Sequence, residues 1–416
     1  MPEGDEPFRG NKGEWSEPYV LFELLTKRKI YNCDADMNII NDVWHDIEEV
    51  IFKSRSSEDG ELGSLRFVLD ETAEGDPEIT LYRKDKPVIK LRYGDCEKHA
   101  NTIRNILTNP RPEKDGNGSL VVPAECTEYL RSIGRVALKS SNDKSKSDIW
   151  VKLPDVRNTS NKPLGFSIKS ESGGRSTIFN SSGQTNVVYR FDRALTPDEV
   201  RDLESRVSVS KTTGDLYPDY SGRILYCNKN GIGLLFDRAE AMKVVKTGKR
   251  LDSVLTGVKT FGRNLKMVDR SMDELYGIMA YYYMFRNISS LADMVKELDK
   301  EDPFDIDPSE EYPFYRKKVM DLLVAVTVSL EAGKVWDGRE GTNGGFIIVK
   351  GTGDIVCYHI FDRDDFREFL LKYMVFDKPD SHRYLMMYLY PVDEENGLYM
   401  TQLNVQMRLG KSSKKN

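Results

Sequence analysis

The chain has 416 residues, 39% of them hydrophobic and 31% charged, a composition typical of a soluble globular protein with roughly two or three domains. Its 61 basic and 67 acidic residues give a net charge of −6, which excludes neither a nucleic acid nor a protein as partner. No apolar run approaches the roughly 20 residues that span a bilayer, and the first residues are polar. We therefore expect a cytoplasmic protein without a membrane segment or signal peptide.

Cysteine and histidine usage restricts the possible chemistry. The five cysteines are scattered and form no Cys-x-x-Cys pair, which argues against a disulfide framework and a structural zinc site. Only four histidines are present, and the motifs of serine hydrolases, zinc proteases and P-loop proteins do not occur. We expect any catalytic site to depend on carboxylates and lysine.

Basic residues are concentrated in two segments. Residues 131–175 contain ten basic and four acidic side chains, and residues 238–270 contain nine basic and three acidic ones. Runs of charge are often only solvated surface. Two basic segments in an acidic chain nevertheless favour a polyanionic ligand.

Apolar periodicity and turn residues predict the elements in chain order. A helix is expected over residues 17–27, with Ser16 as its N-cap and Pro18 in its first turn. The other predicted elements of the first half are β structure over 64–92, helices over 95–108 and 123–133, and strands Asp148–Leu153 and Leu164–Lys169. Those of the second half are helices over 269–298 and 309–331, a hairpin over 345–360, a helix over 363–374, and strands near 384–390 and 398–407.

A carboxylate and a lysine on two successive strands form the most informative pattern. Asp148 begins the first strand, and Lys169 lies near the end of the second. Alternate residues of a strand share a face, so Ser167 and Lys169 point the same way and can converge on Asp148 in a hairpin. The pattern suits metal-assisted phosphodiester hydrolysis, in which the carboxylate holds Mg²⁺ and the lysine lies near the attacking water and the phosphate. An exposed aspartate in a turn and a solvated lysine at a strand end are the structural alternative.

Glu17 is a second candidate carboxylate. Gly13 followed four residues later by Glu17 resembles the N-terminal element of PD-(D/E)xK nucleases, in which the glutamate faces the metal site. Glu14 is an alternative for this role. An acidic residue that only stabilises the helix N-terminus is the structural alternative.

Several short blocks, occurring in order, resemble the HpaII-type restriction endonuclease family. They are Gly10–Glu17, Gly165–Ser170 with the downstream Thr185 and Asn186, Glu340–Lys350, and Cys357–Ile360. The resemblance implies an α+β fold with a PD-(D/E)xK-like core, a mixed sheet flanked by helices, and a second α+β domain for DNA recognition. We place the nuclease core, with an inserted β-rich segment, in residues 1–215 and the recognition domain in residues 216–416.

The resemblance also implies a type II restriction enzyme that cuts both strands of double-stranded DNA with Mg²⁺. The family's named member reads CCGG, so we expect that sequence or a related GC-rich site. Cutting two strands requires a homodimer or a monomer that acts twice. A cognate DNA methyltransferase would act on the same site without being a physical partner. A repair or junction-resolving nuclease and a catalytically decayed DNA-binding protein are the alternative interpretations.

One position departs from the family pattern. The residue two before Lys169 is Ser167 rather than an acid, so the usual second metal-binding carboxylate is missing from its strand. Candidate replacements, beginning with the preferred one, are Glu17, Glu171 and Asp155. The backbone carbonyl of Ile168 is a further candidate metal ligand. The predicted catalytic residues are thus Asp148, Lys169, Glu17 and Ser167, and the predicted metal ligands are Asp148, Glu17 and Ile168.

The predicted DNA contacts follow from the chemistry of base recognition. Arginine and lysine are the commonest partners of guanine, so a GC-rich site favours them. The candidates are Arg339, Lys350 and Arg383, with Gln184 and Asn186 as further polar contacts. The glycines within residues 341–345 suit either a close approach to phosphates or a tight hairpin turn.

Overall fold

A computed structural model describes residues 7–55, 62–71, 77–135, 137–139, 146–154, 162–171, 176–359, 363–380 and 382–410. The chain divides into two compact units. Unit 1 comprises Met1–Ser176 and Glu340–Phe369, and unit 2 comprises Thr177–Arg339 and Leu370–Asn416. The chain therefore leaves unit 1 well before the boundary predicted at residue 215, and it later returns to it.

The described residues form helices and strands with the following bounds. Unit 1 begins with α1 (Lys12–Lys27), β1 (Lys29–Cys33), β2 (Ile39–Asp46), β3 (Glu49–Arg55), β4 (Leu62–Glu71), β5 (Pro77–Arg83), β6 (Lys86–Leu91), α2 (Tyr93–Thr108), α3 (Ala124–Ser132), β7 (Ile149–Lys152) and β8 (Leu164–Ser170). Unit 2 continues with β9 (Thr177–Phe179), β10 (Val187–Phe191), α4 (Pro197–Ser205), β11 (Val207–Val209), β12 (Leu216–Pro218), α5 (Tyr220–Lys229), β13 (Leu234–Ala239), β14 (Met242–Thr247), β15 (Arg250–Leu255), α6 (Thr260–Val268), α7 (Met272–Arg286), α8 (Leu291–Glu301) and α9 (Phe314–Val328). The last elements are β16 (Gly345–Val349), β17 (Ile355–His359), α10 (Arg363–Tyr373), β18 (Met374–Asp377), β19 (Tyr390–Asp393), β20 (Leu398–Leu403) and β21 (Gln406–Leu409).

Unit 1 is built around a mixed sheet. In the described part of the chain its strand order is β2-β1-β17-β16-β8-β7-β3-β4-β5-β6. The pairs β1–β17 and β16–β8 are parallel, whereas β7–β8 and β7–β3 are antiparallel. Strands β16 and β17 thus lie in the middle of the sheet although they come from the distant second segment of unit 1. This pairing explains why the domain boundary differs from the predicted one.

One face of this sheet packs against α1 and forms the core of unit 1. Helix α1 contributes large apolar side chains, among them the fully buried Trp15, Tyr19 and Phe22. The sheet contributes alternate residues of β8 and its neighbours, including Phe166 and Ile168. Because successive residues of a strand point to opposite faces, Ser167 and Lys169 must lie on the other face. We call this other face, defined by Lys53, Trp150, Ser167 and Lys169, the site face.

Unit 2 contains smaller sheets and several helices. Its strand orders within the described residues are β13-β10-β20-β19, β11-β12-β15-β14 and β18-β21-β9. The helical pattern predicted over 269–298 is interrupted at Asn287, whose left-handed backbone caps α7 through its N–H and the carbonyl of Tyr282. The strand expected near 384–390 begins only at Tyr390, because Leu385 and Met387 have positive φ angles that are incompatible with extended backbone.

The first helix begins earlier than predicted. Its N-cap is Asn11 rather than Ser16. The Asn11 side chain accepts a hydrogen bond from the Glu14 backbone, and the Glu14 carboxylate accepts one from the Asn11 N–H at 2.8 Å, so the two residues form a capping box. Ser16 lies inside the helix and donates its hydroxyl hydrogen to the Lys12 carbonyl. Proline is compatible with the first turn of a helix but does not require that position, and Pro18 lies inside this helix.

All five cysteines are buried free thiols. None of the helices in the described residues combines the length and apolar character needed to span a bilayer.

Candidate active site

The site forms where β7 separates from β8. The two strands are paired from Val151–Leu164 to Ile149–Phe166, and the Asp148 N–H still donates to the Phe166 carbonyl at 2.8 Å. Beyond this point, the Asp148 carboxylate, rather than a backbone carbonyl of β7, accepts the next hydrogen bond from β8. Its Oδ2 atom accepts the Ile168 N–H at 2.7 Å. A carboxylate is thereby fixed at the open end of the strand pair.

Ser167 lies beside this carboxylate. Its hydroxyl donates to Asp148 Oδ2 at 3.1 Å, and its side chain is buried. The predicted convergence of Ser167 on Asp148 across the strand pair is therefore observed. Lys169, two residues further along the same face, is half-buried, and its Nζ lies 6.0 Å from the centroid of the Phe346 ring.

The backbone of Ile168 faces the same opening. In an extended strand the N–H and C=O of one residue point to the same side. The Ile168 N–H points away from β16 toward Asp148, so the Ile168 carbonyl also points toward the side that β7 has left. The backbone groups of the odd-numbered residues of this segment point toward β16 instead. The Glu171 N–H, for example, donates to the Val349 carbonyl at 2.9 Å. One carboxylate and one backbone carbonyl therefore face a common space.

The candidate second carboxylates lie in different surroundings. Glu17 is buried on α1 and interacts electrostatically with Arg135, whose side chain is fully buried. Burial lowers the pKa of Arg135 to about 10, and the Glu17 carboxylate acts in the opposite direction. Glu171 is exposed just after β8, and Asp155 lies outside the described residues. No group of three or more histidine, cysteine, aspartate or glutamate side chains suited to a metal occurs among the described residues.

The surroundings of Arg135 indicate a structural role for its charge. Its guanidinium carbon lies 3.5 Å from the centroid of the Phe52 ring, and its Nε donates to the Ala137 carbonyl at 3.3 Å. A buried cation requires such compensation because desolvation penalises its charged form. The metal role predicted for Glu17 thus competes with its interaction with Arg135.

A cationic group that the sequence did not reveal lies on the site face. Trp150 is opposite Ile51 of β3 on one side and Gly165 of β8 on the other. Lys53, two residues after Ile51, places its Nζ 3.9 Å from the centroid of the Trp150 ring. Burial lowers the pKa of Lys53. The lysine was missed because residues 29–55 were not recognised as strands, although Ile51 and Lys53 follow the required alternation.

The packing of the Trp150 indole against β8 accounts for the glycine at position 165. A Cβ atom at position 165 would overlap the side chain of Ser147 and approach Trp150 Nε1 to 3.0 Å. The absence of a side chain lets the indole lie directly against β8. Gly165 therefore determines the position of the Lys53–Trp150 pair on the site face.

The glycine-rich loop before β16 is built into the sheet. The Gly344 N–H donates to the Gly165 carbonyl at 2.8 Å, and Asn343 Oδ1 accepts the Gly165 N–H at 2.8 Å. Gly345 has a φ of +124°, and a side chain there would overlap the Tyr358 carbonyl. Of the two predicted roles, these contacts favour the conformational one.

The predicted DNA contacts differ in accessibility. Arg339 is exposed, with its Nε 3.6 Å from Asp337 Oδ2, and Arg383 is also exposed. Lys350 donates to the Met37 carbonyl at 2.9 Å. Gln184 is half-buried.

Asn186 is in a different position from these residues. It is fully buried, and its amide donates to Gln402 Oε1 at 3.1 Å. This hydrogen bond belongs to the interior of unit 2. The DNA-contact role predicted for Asn186 is therefore not favoured by its surroundings.

Comparison with known proteins gives the family. A sequence profile described as HpaII restriction endonuclease matches residues 11–409, which span both units. The chain belongs to this family. The HpaII-type resemblance predicted from the sequence blocks is thus confirmed, and the family to which the chain belongs is one of restriction endonucleases.

A curated relative supports the assignment to the HpaII family. The chain is 26% identical over 403 residues to the type II restriction enzyme HpaII of Haemophilus parainfluenzae. The match covers 97% of this chain and 99% of that enzyme. No solved structure matches the chain.

Proposed function

We propose that this member of the HpaII family is a Mg²⁺-dependent endonuclease whose catalytic centre is the opening between β7 and β8. The observation that carries the proposal is the Asp148 carboxylate, held by the Ile168 N–H and the Ser167 hydroxyl beside Lys169. This order of an aspartate on one strand and a lysine on the next supports a PD-(D/E)xK-like core with a serine at the second acidic position.

The oxygen donors at this opening suit a Mg²⁺ site with few protein ligands. Mg²⁺ takes hard oxygen ligands and is commonly held by one or two carboxylates together with water and substrate phosphate oxygens. Asp148 and the Ile168 carbonyl would hold the ion, with Glu17, Glu171 or Asp155 as a second carboxylate. The bound ion would act as a Lewis acid on the scissile phosphate.

The side chains of the chain have separate tasks in this proposal. Asp148 binds the metal, and Ser167 orients the Asp148 carboxylate through its hydrogen bond. Lys169 would stabilise the negative charge that develops on the phosphate during attack by water. Lys53, held on Trp150, contributes a further positive charge toward a DNA phosphate on the same face.

We also propose double-stranded DNA as the substrate, with CCGG or a related GC-rich sequence as the site. Arg383 and Arg339 are the preferred guanine-reading residues because both are exposed. Lys350 would have to exchange its hydrogen bond with Met37 to reach DNA. A homodimer would supply a cleavage centre for each strand, and a cognate methyltransferase would protect the host site.

The test is digestion of unmethylated phage-length DNA with Mg²⁺, followed by sequencing of the fragment ends. Discrete fragments with a shared end sequence support the proposal and give the recognition site. Smeared products or cutting confined to branched junctions would replace it with a repair or junction-resolving activity. Salt-sensitive binding without any cutting would indicate a decayed core.

Substitutions of Asp148 and Lys169 test the proposed position of the catalytic centre. Asp148→Asn and Lys169→Met should abolish cutting while DNA affinity and the unfolding midpoint stay close to those of the parent protein. Lys152→Met is the matched control, because the Lys152 ammonium on β7 already pairs with the Glu48 carboxylate at 2.9 Å. Full activity of either site variant would contradict the assignment.

A further inference from the structure

A pocket of about 570 Å³ opens on one face of the sheet β11-β12-β15-β14 in unit 2. Its lining includes Tyr217, Met242, Val244 and Leu251. Met242 and Val244 are alternate residues of β14 and therefore share a face. The adjoining wall is formed by described residues of the segment 380–384. The floor is thus mainly apolar and belongs to one sheet.

Two aromatic rings are fixed at this pocket. His382 stacks on Tyr217, with ring centroids 4.3 Å apart. His382 Nε2 forms a 3.0 Å hydrogen bond with the hydroxyl of Ser208, which is directly opposite Tyr217 on the neighbouring strand. Ser208 and Tyr217, which lie opposite each other on β11 and β12, therefore fix the His382 ring together. The first does so through a hydrogen bond and the second through stacking.

Charged groups lie beside the rings. Asp380 Oδ1 accepts the backbone N–H groups of His382 at 3.0 Å and of Arg383 at 3.3 Å. Arg383 is exposed, and its guanidinium carbon lies 5.6 Å from the centroid of the Tyr384 ring. The pocket thus combines an apolar floor and aromatic rings with two cations, Arg383 and Lys243, and one carboxylate.

We infer that this pocket receives a single nucleobase that is unstacked from the DNA. The inference rests on the proposed DNA substrate. Bases in an intact duplex cover each other's ring faces, so an aromatic platform inside a concavity can stack only on a base that has left the stack. Arg383 matches the guanine edge or the phosphate of that nucleotide, and Asp380 matches an exocyclic amino group.

Two tryptophan substitutions separate the pocket from the rest of its sheet. Val244 and Val254 are both 40% exposed. Val244 lines the pocket. Val254 pairs with Lys243 rather than with Val244, so it lies on the opposite face. Val244→Trp fills the pocket, whereas Val254→Trp adds the same bulk outside it.

The measurement is the affinity for cognate duplexes that carry an abasic nucleotide opposite each base of the site in turn. EDTA in the buffer prevents Mg²⁺-dependent cleavage. Removing the pairing partner lowers the cost of extrusion, so one position should bind about tenfold more tightly than the intact duplex. The gain should disappear in Val244→Trp and persist in Val254→Trp.

The outcomes distinguish this inference from the proposed function. A gain at no position, or a gain that survives Val244→Trp, would overturn the pocket assignment even if the enzyme cuts DNA. Failure to bind any duplex at low salt would overturn the proposed DNA substrate itself, and the pocket inference with it.

Discussion

The hydroxyl of Ser167 donates a 3.1 Å hydrogen bond to the carboxylate of Asp148. The serine occupies the position at which a second acid is expected, and its hydroxyl binds the carboxylate of the first acid. Together with the Ile168 N–H, it keeps the carboxylate at the end of the strand pair. The departure from the acidic pattern is therefore compatible with an ordered site.

Ser167→Ala should reduce the cleavage rate by about tenfold to a hundredfold. A hydrogen bond to a charged acceptor contributes about 1.5–3 kcal/mol, and the Ile168 N–H still holds the carboxylate. Single-turnover cleavage as a function of Mg²⁺ concentration measures the effect. Ser170→Ala, another buried serine of β8, is the control and should retain the parent rate. An unchanged rate in Ser167→Ala would contradict the positioning role.

Glu17→Gln should lower the free energy of unfolding by about 3 kcal/mol, because it leaves the buried Arg135 charge uncompensated. Adding Arg135→Met should restore most of this loss, as measured by urea denaturation. Cleavage by the double variant then separates two roles. A stable but inactive protein agrees with Glu17 as the second metal-binding carboxylate. A stable and active protein would contradict that role and leave Glu171 or Asp155.

Gly165→Ala should destabilise unit 1 by about 1–3 kcal/mol, because the added methyl group overlaps Ser147 and presses on Trp150. Gly351→Ala is a suitable control, since an added Cβ there meets no atom within 4 Å. Equilibrium denaturation of both variants gives the comparison. Equal stabilities would mean that the indole does not lie against β8 as described.

Lys53→Met should weaken DNA binding and reduce the slope of log affinity against log salt concentration by about 0.9, the value for one phosphate contact. Lys152→Met should leave the slope unchanged, because Lys152 already pairs with Glu48 and Glu49. The comparison uses equilibrium binding in EDTA over a range of salt concentrations. A parallel shift without a change in slope for Lys53→Met would exclude a phosphate contact.

The strand pair of the site could be predicted because its signals are local. Alternating apolar residues and flanking prolines indicate both strands, and the parity of Ser167 and Lys169 follows from the strand period. The contact between Ser167 and Asp148 then required only that the two strands be neighbours. The observed ladder between Ile149 and Phe166 meets this requirement.

Other features depend on contacts between distant parts of the chain. The interaction of Glu17 with Arg135 joins α1 to a segment far along the sequence, and no periodicity indicates it. The pairing of β16 with β8, which overrides the predicted boundary at residue 215, is equally non-local. Single-sequence patterns give the face of a strand but not its neighbours in the sheet.

The interleaved order of the two units has a consequence for biosynthesis. Asp148 and Lys169 leave the ribosome long before β16 and β17, which occupy the middle of their sheet. Until the chain has been made through Val349, β8 has no partner on one side, and β17, which joins β16 to β1, is complete only at His359. The order of synthesis thus keeps a growing polypeptide from assembling this centre before the first segment of unit 2, Thr177–Arg339, has been made.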